Sequence, residues 1–216
     1  MNNQEIIRNT ELYIQSEFSL EGSGHDWFHI NRVRNMALRI GQQEGCDLFL
    51  VEMSALLHDL DDWKLTGMDS HHPSGAGRWL DKMDLNENVS SEILRIIEEV
   101  SFLGAGTETP VGSVEAAVVQ DADRLDAMGA LGIARTFAYG GYKSRLIYDP
   151  SIPPVMHNDF QTYKASTAPT INHFYEKLLL LKDRMNTKTA RNITQERHQY
   201  MQDYLTRFFE EWEATK

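Results

Sequence analysis

Val51-Glu52-Met53-Ser54-Ala55-Leu56-Leu57-His58-Asp59-Leu60-Asp61-Asp62-Trp63-Lys64 is the stretch from which the rest of the chain is read. Its opening, Val51 to Leu57, is apolar and helix-favouring, and it delivers an imidazole and a carboxylate side by side. Successive helix residues project about 100° apart, so His58 and Asp59 do not ordinarily share a target. A cation near a helix end is one thing both can reach, through a ring nitrogen and a carboxylate oxygen. The plain alternative is a core helix that simply ends here, with Asp59 solvated. His29, Asp121 and the pair His25-Asp26 elsewhere in the chain tip the reading toward the cation.

The composition suits such a site inside an ordinary globular protein. Of 216 residues, 41% are hydrophobic and 25% charged, enough to bury a sizeable core. One domain is expected over 1–216, with C-terminal helices over 167–213. The net charge of −11, from 21 basic and 32 acidic residues, argues against a nucleic acid polymer as partner. It leaves room for a small anionic substrate, because a bound cation inverts the field inside one cleft. Cys46 is the single cysteine, so no disulfide forms within the chain and a reducing compartment is expected. The start Met1-Asn2-Asn3-Gln4-Glu5 lacks the basic and apolar regions of a secretory signal. No run of about 18 apolar residues is present. The expectation is a cytoplasmic protein with no membrane partner.

The spacing of apolar residues predicts helix after helix. Ile6, Ile7, Tyr13, Ile14 and Phe18 mark the first, and Ser19 to Gly24 reads as a loop. Ile30, Val33, Ala37 and Ile40 form a stripe with Gly45 as the stop, and Asp47 caps the helix that ends at His58-Asp59. Leu65 to Pro73 reads as a loop and Ala76 to Met83 as a short helix. Ser90 is expected to cap a helix through Ile93, Ile96, Ile97 and Val100. Another helix is expected to start at Thr109-Pro110 and run into Asp121-Ala122-Asp123. A further one covers Leu125 to Tyr139, its glycines and alanines admitting a close neighbour. Gly140 to Ala168 reads as a long loop or lid. Helices over Thr167 to Met185 and Thr189 to Glu213 close the chain. Tyr200, Tyr204, Phe208 and Trp212 share a face of the last, read as core, with a homodimer interface as the alternative. No alternating strand pattern occurs, so the class is all-α.

His29, His58, Asp59 and Asp121 form a candidate metal set, each in or beside an expected helix, so that a bundle can bring them together. Imidazoles with carboxylates suit one divalent ion such as Mn, Fe, Ni, Co or Mg, and the absence of a thiolate cluster disfavours structural zinc. The order His, His-Asp, Asp resembles that of the HD-domain phosphohydrolase superfamily. Three contexts carry the match: His25-Asp26-Trp27-Phe28-His29 with Arg32-Val33, then Leu56-Leu57-His58-Asp59-Leu60-Asp61-Asp62-Trp63-Lys64, then Gln120-Asp121-Ala122-Asp123-Arg124-Leu125-Asp126-Ala127. They are similar to a bacterial single-domain subgroup that includes nucleoside triphosphate pyrophosphohydrolases, and Ile171 to Leu178 resembles it too. The resemblance implies an all-α HD-domain helical bundle and metal-dependent hydrolysis at phosphorus.

Supporting residues are weighed against plainer roles. Asp26 either orients the His29 imidazole or caps the helix, and His25 sits at the rim of the cleft. Arg32, one turn after His29, binds a phosphate or a surface carboxylate. Asp62 is the candidate proton acceptor and Lys64 the candidate phosphate contact, against solvated loop charges. Tyr139, Lys143 and Arg145 open the long loop as phosphate-closing groups or as solvated ones. Arg124 and Asp126 either pair within the fold or touch substrate. Some superfamily members hold a second metal with additional histidines, but His71-His72 reads as an exposed loop pair, and His173 and His198 as structural. The expected activity is a phosphohydrolase cleaving a phosphate ester or anhydride of a small molecule, a nucleotide before others, with a triphosphate yielding pyrophosphate. A nucleoside monophosphatase, a phosphodiesterase and a regulatory module without turnover are the alternatives, and a di-iron oxygenase is the remotest.

Overall fold

The computed structural model describes residues 1–18, 26–61, 74–100, 109–156 and 166–216. His25, Asp62, Lys64 and His71-His72 lie outside the described residues, as do the loops expected over Ser19 to Gly24 and Leu65 to Pro73. Every regular element among the described residues is helical. None of these helices is long and apolar enough to cross a membrane. Contacts divide the chain into two compact units, one comprising Met1–Phe102 with Thr109–Asp123, the other including Arg124–Lys216.

In the first unit run α1 (Asn3–Glu17), α2 (Trp27–Glu44), α3 (Leu48–Leu57), α4 (Ser74–Lys82), α5 (Glu87–Val100) and most of α6 (Val114–Asp126). α3 is central and packs on α1, α2 and α5. Met53, Ser54, Ala55, Leu56 and Leu57 are all fully buried. A helix enclosed on most sides needs apolar residues on most sides, which is why Val51 to Leu57 is apolar but for Ser54 and the half-buried Glu52, paired with Arg34, rather than carrying a stripe.

Side-chain caps set where these helices begin. Asn2 and Glu5 form a capping box on α1. Asp26 accepts the His29 N–H at 2.7 Å, and α2 ends at Gly45 in the left-handed region, φ 75. Asp47 accepts the N–H groups of Phe49 and Leu50 to open α3. Two expected starts move. α5 begins at Glu87 beneath Asn86, whose side chain accepts the Asn88 N–H at 3.0 Å, so Ser90 lies inside the helix. α6 begins at Val114, not at Thr109-Pro110, with the Ser113 hydroxyl accepting the Ala116 N–H at 3.1 Å. Side chains hold the backbone before it in another path: Glu99 accepts the Gly112 N–H at 2.7 Å, and the Gln120 amide donates to the Thr109 carbonyl at 3.2 Å. Burial beside Glu115 and Glu44 pushes the Cys46 thiol up to about 11, so it is a neutral thiol rather than a reactive thiolate near pH 7.

In the second unit the chain departs further from the expected helices. α6 continues past Asp123 to Asp126, and α7 (Gly129–Tyr142) starts at Gly129, φ 69, in place of one helix from Leu125 to Tyr139. At Gly132 a Cβ would meet the Ala127 carbonyl oxygen at 2.2 Å, so smallness there serves the tight α6–α7 turn rather than a neighbouring helix. α7 also absorbs Gly140 and Gly141, shortening the long loop. Part of that loop is tied down: the N–H groups of Thr170 and Ile171 donate to the carbonyls of Leu146 and Ile147 at 2.8 and 3.0 Å. Val155 N–H donates to Glu176 at 3.0 Å and the Asn172 amide to the Ile152 carbonyl at 2.9 Å.

The helix expected over Thr167 to Met185 is broken into α8 (Asn172–Glu176) and a 3-10 turn (Leu178–Arg184). Leu178 and Leu181, three apart, are both buried, a spacing that suits three residues per turn. α9 (Lys188–Trp212) begins under Thr187, which accepts the Ala190 N–H at 3.1 Å. Its aromatic face is only partly core. Tyr204 stacks on Phe174 at 5.9 Å, whereas Tyr200 and Trp212 are 55% and 47% exposed.

Leu56→Ala, at a fully buried position of α3, is expected to cost about 2–5 kcal/mol, measured by urea unfolding.

Candidate metal centre

Three local structures of the first unit converge. His29 stands in the first turn of α2, His58 and Asp59 in the turn that ends α3, and Asp123 late in α6. His29, His58 and Asp59 each offer one ligand atom, and these atoms lie within 4.8 Å of one another. The His29 Nε2 is 3.2 Å from the Asp59 Oδ2, and the His58 Nε2 is 3.5 Å from the Asp59 Oδ1. Asp123 Oδ1 lies 3.5 Å from the His29 Nε2 and 3.9 Å from the His58 Nε2. The end of α3 lets consecutive residues face one point: the chain leaves helical geometry after His58 and tightens, with the Leu60 N–H bound to the Leu57 carbonyl at 3.1 Å.

The donors fit a cation. The His58 Nδ1 lies 2.8 Å from the Ala55 carbonyl. A carbonyl only accepts, so Nδ1 carries the proton and Nε2 of a neutral ring presents a lone pair. That Nε2 is buried with no hydrogen-bond partner. It faces carboxylate oxygens, an arrangement that repels unless positive charge lies between them. Asp59 is itself only 5% exposed, and a buried carboxylate needs compensating charge. The Asp123 side chain is 31% exposed, so the cluster opens to solvent on that side. A nitrogen and oxygen set of this kind suits a divalent transition ion or magnesium.

On α6, the Asp123 carboxylate lies beside both imidazoles. Asp121, the α6 carboxylate expected from the sequence, is fully buried, and on a helix two residues lie about 200° apart. The sequence left this hidden because α6 is buried on nearly every side from Ala116 to Ala122, and no apolar stripe picks out a face. Asp26 takes the capping role and positions His29 through its backbone N–H. Arg32 is half-buried on α2, three positions beyond His29. Asp61, unassigned by sequence reasoning, accepts the Gly75 and Ala76 N–H groups.

Lys143 and Arg145 belong to the second unit. Lys143 Nζ sits 5.0 Å from the Tyr142 ring centre, and Arg145 donates to the Ser166 carbonyl at 2.5 Å while stacking on Tyr139. Arg124 donates to the Arg184 carbonyl, and Asp126 pairs with Arg135 at 2.7 Å, which assigns both to pairing within the fold. The His198 imidazole is pushed down by burial and then by Lys182, consistent with a structural residue.

Comparison with known proteins shows what the chain resembles. The HD domain family model matches residues 27–128. YpgQ of Bacillus subtilis (strain 168) is 40% identical over 195 residues, which cover 89% of this chain and 87% of YpgQ. A crystal structure of YpgQ in complex with ADP matches with a TM-score of 0.74 at 38% identity, over 95% of this chain and 96% of that one. An HD-superfamily hydrolase from Bacillus thuringiensis matches at 42% identity and a TM-score of 0.75, over 99% and 100% of the two chains. A Lactobacillus plantarum structure reaches a TM-score of 0.86 at 34% identity, with 99% and 100% covered.

Adding Mn to metal-free protein is expected to raise its melting temperature, because an ion that binds the folded state alone stabilises it by about 2.7 kcal/mol at 100 times Kd. His58→Ala should remove the rise, read by differential scanning fluorimetry with and without Mn.

Proposed function

The chain belongs to the HD-domain superfamily, whose fold supports metal-dependent phosphohydrolases, and from that premise we propose that it hydrolyses a phosphate ester or anhydride of a nucleotide. The observation that carries the reading is the convergence of the His29 and His58 imidazoles on the Asp59 and Asp123 carboxylates. These four residues would hold one divalent ion, with Asp123 taking the place that the sequence alone suggested for Asp121. A divalent cation supplies Lewis acidity there, polarising a phosphoryl oxygen and lowering the pKa of water. The nucleotide assignment draws support from the ADP complex of YpgQ.

The chain's own residues divide the remaining work. Asp62 follows the ligand pair by three positions and accepts the proton of the attacking water. Lys64 and Arg32 neutralise phosphate oxygens and hold phosphorus in line with the leaving group. With a nucleoside triphosphate, the new bond joins the water oxygen to the α-phosphorus. The bond to the bridging oxygen breaks, and the products are a monophosphate and pyrophosphate.

Purified protein with added Mn, assayed against nucleoside mono-, di-, tri- and cyclic phosphates, tests the reading by product. Pyrophosphate, phosphate and a linear nucleotide are separable by chromatography, and no turnover of any nucleotide by Mn-loaded protein removes the nucleotide assignment. Asp62→Ala is expected to lower kcat about 10²–10⁴-fold while Mn still binds. Asp123→Ala should lose Mn and activity together, whereas Asp121→Asn should keep Mn binding, measured by calorimetry.

A further inference from the structure

We propose that Asp61 is a positioning residue for the His58-Asp59 pair, fastening the turn that carries both side chains to the start of α4; this rests on the reading of that pair as cation ligands. The Asp61 carboxylate accepts the Gly75 N–H at 2.8 Å on Oδ1 and 2.9 Å on Oδ2, and the Ala76 N–H at 3.0 Å on Oδ2. Helix starts carry unpaired N–H groups and partial positive charge, so a carboxylate is well placed there. What distinguishes this contact is its reach. Asn2, Asp26, Asp47 and Thr187 cap helices from within three residues, whereas Asp61 caps α4 from 14 positions before Gly75. A local cap sets one helix end; a distant one joins two pieces of structure.

The pieces joined are the ligand-bearing turn and a fixed point in the core. Ala76 is fully buried in the core cluster, and Leu60, between Asp59 and Asp61, packs against that same cluster. The carboxylate sits so near the backbone that a Cβ at Gly75 would come within 2.8 Å of Oδ1. Side-chain acceptor and bare glycine therefore fit one another. The turn from His58 to Asp61 is outside α3 and leans on little helical hydrogen bonding: the His58 Nδ1 contact to the Ala55 carbonyl and the Leu60 N–H to Leu57. The Asp61 bonds fix its far end. Metal-ligand sets need their donors held within about 0.5 Å, and residues that orient ligands typically change metal affinity about 10–100-fold when removed.

Calorimetric Mn titration of the folded full-length chain tests this, with the melting temperature of each metal-free variant as the check on folding. Wild type is expected to bind one Mn, and Asp61→Ala to bind it about 10-fold more weakly. Asp61→Asn, which keeps one acceptor oxygen, should recover part of that loss. Gly75→Ala should weaken Mn binding from the opposite partner, by displacing the carboxylate without touching the ligands. Arg78→Gly, at an exposed position inside α4, destabilises the same helix but leaves the contact intact, and should bind Mn like wild type. Wild-type affinity in both Asp61→Ala and Gly75→Ala, even with lowered melting temperatures, would show that Asp61 merely caps α4 and overturn the proposal. Loss of affinity in Arg78→Gly equal to that in Asp61→Ala would overturn it too, since helix stability alone would then suffice. Absence of Mn binding by wild type would instead remove the ligand assignment itself, and the positioning role with it.

Discussion

A buried carboxylate set against two imidazoles, one of them presenting a lone pair, is the constraint around which the first unit is built. Asp59 is almost sealed from water, and its two oxygens lie 3.2 and 3.5 Å from ring nitrogens of His29 and His58. With Nδ1 of His58 committed to a carbonyl, the ring cannot donate to Asp59 from Nε2 while neutral. Such a cluster is costly to assemble without a positive charge at its centre. The buried second half of α3, the caps of its neighbours and the approach of α6 all serve to hold these groups together despite that cost.

Helix ends supply the means. His29 lies in a first turn and His58 and Asp59 in the turn after a last one, while the acidic residues Asp26, Asp47 and Asp61 accept backbone N–H groups at the starts of α2, α3 and α4. A helix interior spreads consecutive residues around its axis, whereas an end lets neighbours in sequence become neighbours in function. The acidic excess of the chain is therefore not all solvated surface. Some of its carboxylates are occupied as caps, and one is buried among imidazoles.

In the second unit charge is spent on the fold itself. Arg124 donates to the Arg184 carbonyl, Asp126 pairs with Arg135, and Arg197 donates to the Leu125 carbonyl. The segment from Leu146 to Met156 carries no regular structure yet is hydrogen-bonded to α8 and the residues before it. Lack of periodicity in a sequence thus marks the absence of helix, and says nothing about whether backbone groups find partners elsewhere.

The all-α class, the capping residues Asp26 and Asp47, the stop at Gly45 and the grouping of His29, His58 and Asp59 were legible in the residues alone. Each rests on a local rule: apolar spacing, a side chain that reaches its own helix start, a glycine that tolerates a left-handed turn, or adjacent groups with metal-binding chemistry. Tertiary structure alone brought Asp123 beside the imidazoles, because α6 is buried over most of its length and its sequence has no polar face to orient it. It also decided that α6 and α7 separate at Ala127 and Met128, that the Leu178–Arg184 stretch winds as a tighter helix, and that Asp61 serves a distant helix rather than water. Those outcomes depend on which atoms from remote parts of the chain arrive at one place, and packing determines that where local spacing cannot.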